Sequence, residues 1–170
     1  MDVALIATRL VVGGWFVWLA SRKLGDSRRF WRQVMEYRIV GPRASRVVAA
    51  AMPPIEFVAG LLFAAGFLAQ LFGPILLGLL ALFTVAMGTV LARGIDADCG
   101  CGSSRPSPVR PALIVRNVAL GMGIVVGSWS PTEPQMGEVA VTIAAAVVCV
   151  VVTTGTYRSI GRPAPTGGER

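Results

Sequence analysis

The 170-residue chain contains no histidine, only three cysteines and few charged side chains. Without an imidazole it cannot carry Ser-His-Asp or Cys-His catalysis, a histidine-ligated haem or a zinc site that includes histidine. Three cysteines are too few for a disulfide-rich scaffold. Charged residues make up 15% of the chain, against about 25% in soluble domains, and 54% of its residues are hydrophobic. These shortages exclude an ordinary soluble enzyme and indicate a membrane protein.

Five hydrophobic runs approach the length of about 17–25 residues that a helix needs to cross a bilayer. They cover approximately residues 3–20, 47–70, 74–92, 111–129 and 139–155. The first run lacks the basic start and the small-residue cleavage site of a signal peptide, so we expect it to be retained. The sequence Gly73-Pro74 predicts a tight hairpin turn between the second and third runs.

The fold class predicted from these runs is all-α, a polytopic transmembrane helical bundle of four to five spans plus one interfacial amphipathic helix. We expect one transmembrane domain over residues 1–157. The tail over residues 158–170 is rich in proline and glycine, and we expect it to be disordered.

The interfacial helix is predicted in the basic segment between the first two runs. Its hydrophobic residues recur at helical spacing, and they are Phe30, Trp31, Val34 and Met35. Its polar face carries Arg28, Arg29, Arg32, Gln33 and Glu36. This pattern is typical of a helix lying on the lipid surface, and Gly41 with Pro42 is expected to end it. Binding of nucleic acid is the other interpretation of a basic segment, and the flanking membrane spans argue against it.

The basic residues are unevenly shared between the two sides of the predicted bundle. Segment 21–46 holds eight Lys and Arg, the loop 93–110 holds three and the tail holds three, whereas the opposite loops hold none. The positive-inside rule therefore places the basic side, with loop 93–110, in the cytoplasm. Arg9 lies in the first run near the opposite face, and we expect its side chain to reach that surface.

Loop 93–110 contains the sequence Cys99-Gly100-Cys101. Two thiols separated by one glycine can close a small strained disulfide, and strained exposed disulfides exchange readily. The pair is therefore interpreted as redox-active, with Arg93 favouring the thiolate and Asp98 opposing it. Two other interpretations stay open. The cysteines are incidental loop residues, or they bind a soft metal, although a structural zinc site needs four ligands.

Ionisable residues inside membrane spans are costly and are candidates for function. Glu56 follows Pro53 and Pro54, so we expect the regular helix to begin near Pro53, with Glu56 in its first turn. Arg116, next to Asn117, lies near the start of the fourth span. Connectivity places Glu56, Arg116 and the cysteine pair at similar depth on one membrane face. We predict a Glu56–Arg116 ion pair, which either fixes helix packing or takes part in proton transfer or partner docking.

Several of these features occur together in a known order. The chain reads Pro54-x-Glu56, then Arg93-Gly94, then Asp98-Cys99-Gly100-Cys101, then Val115-Arg116-Asn117. This set resembles the methylamine utilisation protein MauE family, redox-associated membrane proteins related to DoxX, over roughly residues 5–125. In that family Phe-Gly normally follows the cysteine pair, whereas this chain has Gly102-Ser103.

The resemblance implies a membrane thiol–disulfide oxidoreductase that works with a thioredoxin-like partner. Its role would be to form or maintain disulfides in an exported client protein, which for MauE itself is the small subunit of methylamine dehydrogenase. Cys99 and Cys101 would then be the exchanging pair, one attacked to give a mixed disulfide and the other resolving it. The supporting residues would be Glu56, Arg116, Asn117, Arg93 and Asp98.

The same resemblance suggests a quinone as electron acceptor, by comparison with vitamin K epoxide reductase-like bundles. No quinone site, other cofactor site or complete metal site can be identified from the sequence. An exported client requires the cysteines outside the cytoplasm, whereas the loop charges place them inside it. The alternative functions are a non-enzymatic accessory or assembly subunit of a membrane complex, a soft-metal-binding protein and, with the least support, a transporter.

Overall fold

The computed structural model describes residues 3–97, 109–129, 151–158 and 160. Its helices are α1 (Val3–Gly25), α2 (Ser27–Glu36), α3 (Pro42–Ala65), α4 (Ala69–Ala92) and α5 (Pro111–Ser128). Residues 151–158 are also helical, and no β-strand occurs in these ranges. Four of the helices, namely α1, α3, α4 and α5, are long and apolar enough to span a membrane. The predicted all-α, multi-pass membrane bundle is confirmed.

The four spanning helices form a ring in which neighbours are antiparallel. Helices α1 and α4 each contact both α3 and α5. The centre is filled by hydrophobic side chains from all four helices, among them Phe16, Phe63, Leu76 and Ile124. Many apolar side chains face outward instead, as expected for helices surrounded by lipid.

Helices α1 and α3 make the most extensive contact, and two glycines bring them together. A Cβ atom added to Gly13 would lie 2.5 Å from the carbonyl oxygen of Gly60 and 2.7 Å from Cβ of Ala64. A Cβ atom added to Gly60 would lie 2.9 Å from Cβ of Phe16. Only glycine allows the two backbones to approach this closely.

The predicted turn at Gly73-Pro74 is wrong, because the chain turns seven residues earlier. Helix α3 ends where Gly66 adopts the left-handed conformation with φ of 80°. Its amide donates to carbonyls of the last helical turn, which is the usual way that glycine ends a helix. Pro74 lies inside α4, whose continuous course is typical of proline in membrane helices.

The expected start of the second span near Pro53 is also wrong. Helix α3 begins at Pro42, in the first helical position where proline is favoured. Pro53 and Pro54 lie within the helix and do not interrupt it. Because a bilayer offers no water to unpaired backbone groups, a helix with two missing hydrogen bonds is still the best conformation for this segment. Glu56 therefore lies mid-helix and not in a first turn.

The predicted amphipathic helix is present as α2, which packs mainly against α3. The carboxylate of Asp26 accepts a hydrogen bond from the backbone amide of Arg29 at 3.0 Å and caps its start. Phe30 was expected to face lipid, but it is only 4% exposed and packs against Ala49 and Ala50 of α3. Gln33 is also buried, so the polar face is narrower than predicted. The helix ends at Glu36, before the residues expected to end it.

Arg9 does not reach the surface as expected. Its side chain is only 2% exposed, and its Nε donates a hydrogen bond of 2.8 Å to the carbonyl oxygen of Gly127 near the end of α5. The last carbonyls of a helix lack partners within the helix, and the negative end of the helix dipole attracts a cation. Arg9 therefore ties α1 to α5 from inside the bundle.

The helical segment 151–158 lies against the start of α3. Arg46 donates hydrogen bonds to the carbonyl oxygen of Tyr157 from Nε at 3.1 Å and from a terminal nitrogen at 2.8 Å, and its guanidinium lies 4.2 Å from the centre of the Tyr157 ring. Most of the predicted fifth span, residues 139–150, lies outside the described residues, and so does the tail from residue 161. The fifth span remains a prediction.

The close contact between α1 and α3 predicts different effects for two neighbouring glycines. We expect Gly13→Val to lower the free energy of unfolding by about 1–3 kcal/mol, because the side chain would push the helices apart. Gly14→Val is the matched control, since a Cβ atom there meets nothing within 4 Å. Thermal unfolding of the purified variants in detergent measures the difference. Equal melting temperatures would contradict the proposed packing role of Gly13.

Candidate functional site

A small cavity lies between the spanning helices, toward the end of the bundle that carries α2. Its volume is about 40 Å³, which leaves room for about three water molecules. Apolar side chains form most of its wall. The polar groups that line it are Trp15, Lys23, Glu56, Arg116 and Asn117.

Lys23 and Glu56 form a buried ion pair between α1 and α3. The ammonium group of Lys23 donates to both carboxylate oxygens of Glu56, at 3.0 Å to Oε1 and 2.8 Å to Oε2. The two side chains are 6% and 2% exposed. Either charge alone would be costly at this depth, so each residue makes the other tolerable.

Two aromatic rings complete the surroundings of the Lys23 ammonium group. Its Nζ lies 4.1 Å from the ring centre of Phe83 and 5.1 Å from that of Phe30. Both distances fall within the range of cation–π attraction, which is strongest where water is excluded. Phe83 belongs to α4 and Phe30 to α2, so the ammonium group of this α1 residue contacts three other helices, α2, α3 and α4.

Arg116 and Asn117 connect α5 to its neighbours. Asn117 is 3% exposed, and its amide nitrogen donates to the hydroxyl of Thr84 in α4 at 3.1 Å. Its amide oxygen accepts from Arg116 at 3.2 Å. The guanidinium of Arg116 lies 5.6 Å from the ring centre of Trp15 in α1. These contacts direct the Arg116 side chain toward the cavity.

The predicted convergence of Glu56 and Arg116 is confirmed, since both line the cavity, but the predicted ion pair between them is wrong. Glu56 pairs with Lys23. In the sequence Lys23 is one of the eight basic residues of segment 21–46, which is predicted to lie outside the membrane. Helical spacing could have identified it, because Lys23 shares one buried face of α1 with Phe16 and Ala20.

Other predicted site residues lie apart from the cavity or outside the described chain. Arg93 ends α4, and its guanidinium donates to the carbonyl oxygen of Arg38 at 3.3 Å. It therefore holds the α2–α3 connection against the end of α4. Asp98, Cys99 and Cys101 fall outside the described residues, so their predicted roles stay predictions.

The described residues on either side of the cysteine loop are joined to each other. The amide of Val109 donates to the carbonyl oxygen of Ala97 at 3.2 Å. Ala97 is buried in a cluster with Tyr37, Met87 and Val90, and Val109 packs on that cluster. Met87 also lines the cavity, so the cluster at the base of the loop adjoins the cavity that holds the ion pair.

The site as described can hold charge and exchange protons, but it offers no ready metal centre. Within residues 3–97, 109–129, 151–158 and 160, no three acidic or sulfur side chains come together. The Lys23 and Glu56 groups share hydrogen bonds and adjoin a water-sized space. This arrangement is able to pass a proton between the two side chains and a water molecule.

Comparison with known proteins agrees with the motif order. The family model for the methylamine utilisation protein MauE matches residues 1–130. The methylamine utilization protein MauE of Paracoccus denitrificans is 28% identical over 155 residues, which cover 88% of this chain and 83% of that protein. No solved structure matches this chain. Because the family model spans most of the chain, including every described site residue, this protein belongs to the MauE family.

Proposed function

We propose that this protein is a membrane thiol–disulfide exchange protein that helps an exported protein acquire its disulfides. In this proposal Cys99 and Cys101 exchange electrons with a thioredoxin-like partner, which contacts the client. The name of the Paracoccus relative suggests methylamine utilisation as the process served.

The observation that carries the proposal is the anchored base of the cysteine loop. The hydrogen bond between Val109 and Ala97 closes the loop on a buried cluster in the same end of the bundle as the Lys23–Glu56 pair. A thiol pair that must meet another protein benefits from a fixed base, because the partner then finds it in one place.

The proposed exchange takes place in two thiol–disulfide steps. The partner arrives reduced, and one of its thiolates attacks the Cys99–Cys101 disulfide to form a mixed disulfide. The second partner thiolate then attacks the mixed disulfide, so that the partner leaves oxidised and this chain keeps two thiols. Two electrons and two protons have entered the chain, and an oxidant must remove them. A membrane quinone is the class of acceptor that we propose.

We assign the buried charges a positioning role. Lys23 links α1 to α3 and contacts rings from α2 and α4, while Met87 connects the cavity wall to the base of the loop. The ion pair therefore sets the positions of the helices that support the loop. Proton exchange with the cavity is a second contribution, and the two can be separated by mutation.

The side of the membrane on which the cysteine loop lies decides between an oxidative role and the uptake of electrons from the cytoplasm. The proposal requires the loop outside the cytoplasm, whereas the loop charges predict it inside. Burial removes Lys23 from the count of loop charges and leaves the asymmetry almost unchanged. The family resemblance and the positive-inside rule thus make opposite predictions.

We expect Cys99→Ser and Cys101→Ser each to abolish exchange, since a single thiol cannot complete it. A partner whose second cysteine is replaced by serine should instead accumulate a mixed disulfide with the native chain, visible on non-reducing gels of alkylated membranes, because the second attack is then missing. The double variant should accumulate none, and Cys149→Ser should behave as the native chain. Growth on methylamine of Paracoccus cells lacking their own MauE measures function. Full rescue of growth by both single variants would contradict the redox proposal and favour a non-enzymatic accessory role.

We expect Lys23→Met and Glu56→Leu to destabilise the bundle by about 3–5 kcal/mol each, because each leaves one unpaired buried charge. The double variant Lys23→Met/Glu56→Leu should regain much of that stability. Arg22→Gln is the matched control, since Arg22 is exposed beside Lys23. Thermal unfolding in detergent gives the stabilities. A double variant no more stable than either single variant would contradict a direct pairing.

Labelling of Cys99 and Cys101 in intact cells with a membrane-impermeant thiol reagent tests sidedness, with Cys149→Ser as background. The proposal predicts labelling only after mild reduction, which reports an external disulfide. Labelling confined to opened cells, with free thiols, would place the pair in the cytoplasm. The chain would then receive electrons or bind a metal, and the proposed export-side role would be abandoned.

A further inference from the structure

A second, larger cavity lies beneath α2, between α3 and α4. We name it the α2 groove, and its volume is about 120 Å³. Its lining is almost entirely apolar and includes Val34, Val40, Val48, Met52, Leu82 and Ala86. An apolar cavity of about this size stays dry and takes a hydrocarbon.

The α2 groove opens on the outer surface of the bundle. Ile39, Val40 and Leu82 line it and are 44%, 42% and 55% exposed. Leu82 belongs to a helix that is long and apolar enough to span the membrane, so its exposed face meets lipid tails. A tail from the surrounding bilayer can therefore enter the groove sideways.

The polar groups in the lining favour a plain hydrocarbon over a ligand that needs hydrogen bonds. Gln33 and Tyr37 contribute the polar side chains of the wall, and both already make interactions elsewhere. A quinone carbonyl would have to displace those interactions at a cost. An acyl chain requires no hydrogen bond.

Arginines flank the residues of the same entrance along the chain. Arg38 directly precedes the lining residues Ile39 and Val40, and Arg43 follows at the start of α3. Arg93 reaches this connection from the end of α4 through its hydrogen bond to the Arg38 carbonyl. Three cations beside an apolar entrance match a lipid whose tail is hydrocarbon and whose headgroup is anionic.

We propose that the α2 groove holds a short segment of one acyl chain of an anionic phospholipid, with its phosphate beside Arg38, Arg43 and Arg93. The inner end of the groove reaches Phe30 and Phe83, whose rings contact the Lys23 ammonium group. A bound chain therefore supports the wall that separates the lipid from the ion pair. This lipid site goes beyond the proposed exchange activity and does not depend on the cysteines.

The test uses the full chain in nanodiscs of phosphatidylcholine that contain a small share of a photoreactive lipid. The probe is phosphatidylglycerol with a diazirine in one acyl chain, and phosphatidylcholine with the same chain is its control. We expect phosphatidylglycerol to label peptides 39–52 and 82–86 preferentially. Ala86→Leu should remove that labelling by filling the groove. Ala81→Leu is the matched control, because Ala81 is exposed on α4 and does not line the groove.

A double arginine variant tests how much the lipid headgroup contributes to binding. Arg38→Gln/Arg43→Gln should reduce the preference for phosphatidylglycerol over phosphatidylcholine by roughly tenfold, because both arginines lie near the anionic headgroup. Equal labelling by the two lipids in the native chain would overturn the proposal and indicate ordinary surrounding lipid. Displacement of the probe by ubiquinone, but not by added phosphatidylglycerol, would overturn it in favour of a quinone site. Unchanged labelling in a folded Ala86→Leu variant would also overturn it.

Discussion

A charge buried in a bilayer must have a partner, and the arrangement of this bundle depends on how that requirement is met. The ammonium group of Lys23 and the carboxylate of Glu56 satisfy each other within 3.0 Å. The pair joins α1 to α3, the same two helices that approach closely at Gly13 and Gly60. The rings of α2 and α4 then pack around the same ammonium group. The small cavity, the groove beneath α2 and the base of the cysteine loop are arranged around this contact.

The spanning helices could be predicted from composition because a bilayer accepts little except long apolar helices. Their ends could not be predicted equally well. The sequence predicts that a helix starts near Pro53 and that Pro74 lies in a turn. Both predictions assume that proline interrupts helices as it does in water, where the freed carbonyl groups can be hydrated. In lipid the helix is retained, and the real stop is Gly66, which adopts a conformation that favours glycine. The rule that proline ends a helix assumes that water surrounds the backbone, and it therefore fails for helices inside a bilayer.

The site was partly visible in the sequence for a related reason. Glu56 and Arg116 attracted attention as ionisable residues within apolar runs, and connectivity correctly brought them to one end of the bundle. The pairing of Lys23 with Glu56 could not be recognised as easily, because Lys23 directly follows Arg22 in a basic segment. In the structure Lys23 lies on the buried face of α1. The role of Cys99 and Cys101 rests on motif and family, because pairing between thiols depends on geometry that a linear sequence does not contain.

The positions of the partners along the chain determine the order in which the bundle can close during synthesis. Lys23 meets its acceptor 33 residues later, so this ion pair can form as soon as the first two spanning helices have been made. Arg9 must wait 118 residues for the Gly127 carbonyl oxygen. Until α5 is synthesised, the guanidinium of Arg9 in α1 lacks its backbone acceptor, the carbonyl oxygen of Gly127. Ring closure by α5 is thus the step that supplies the acceptor of Arg9.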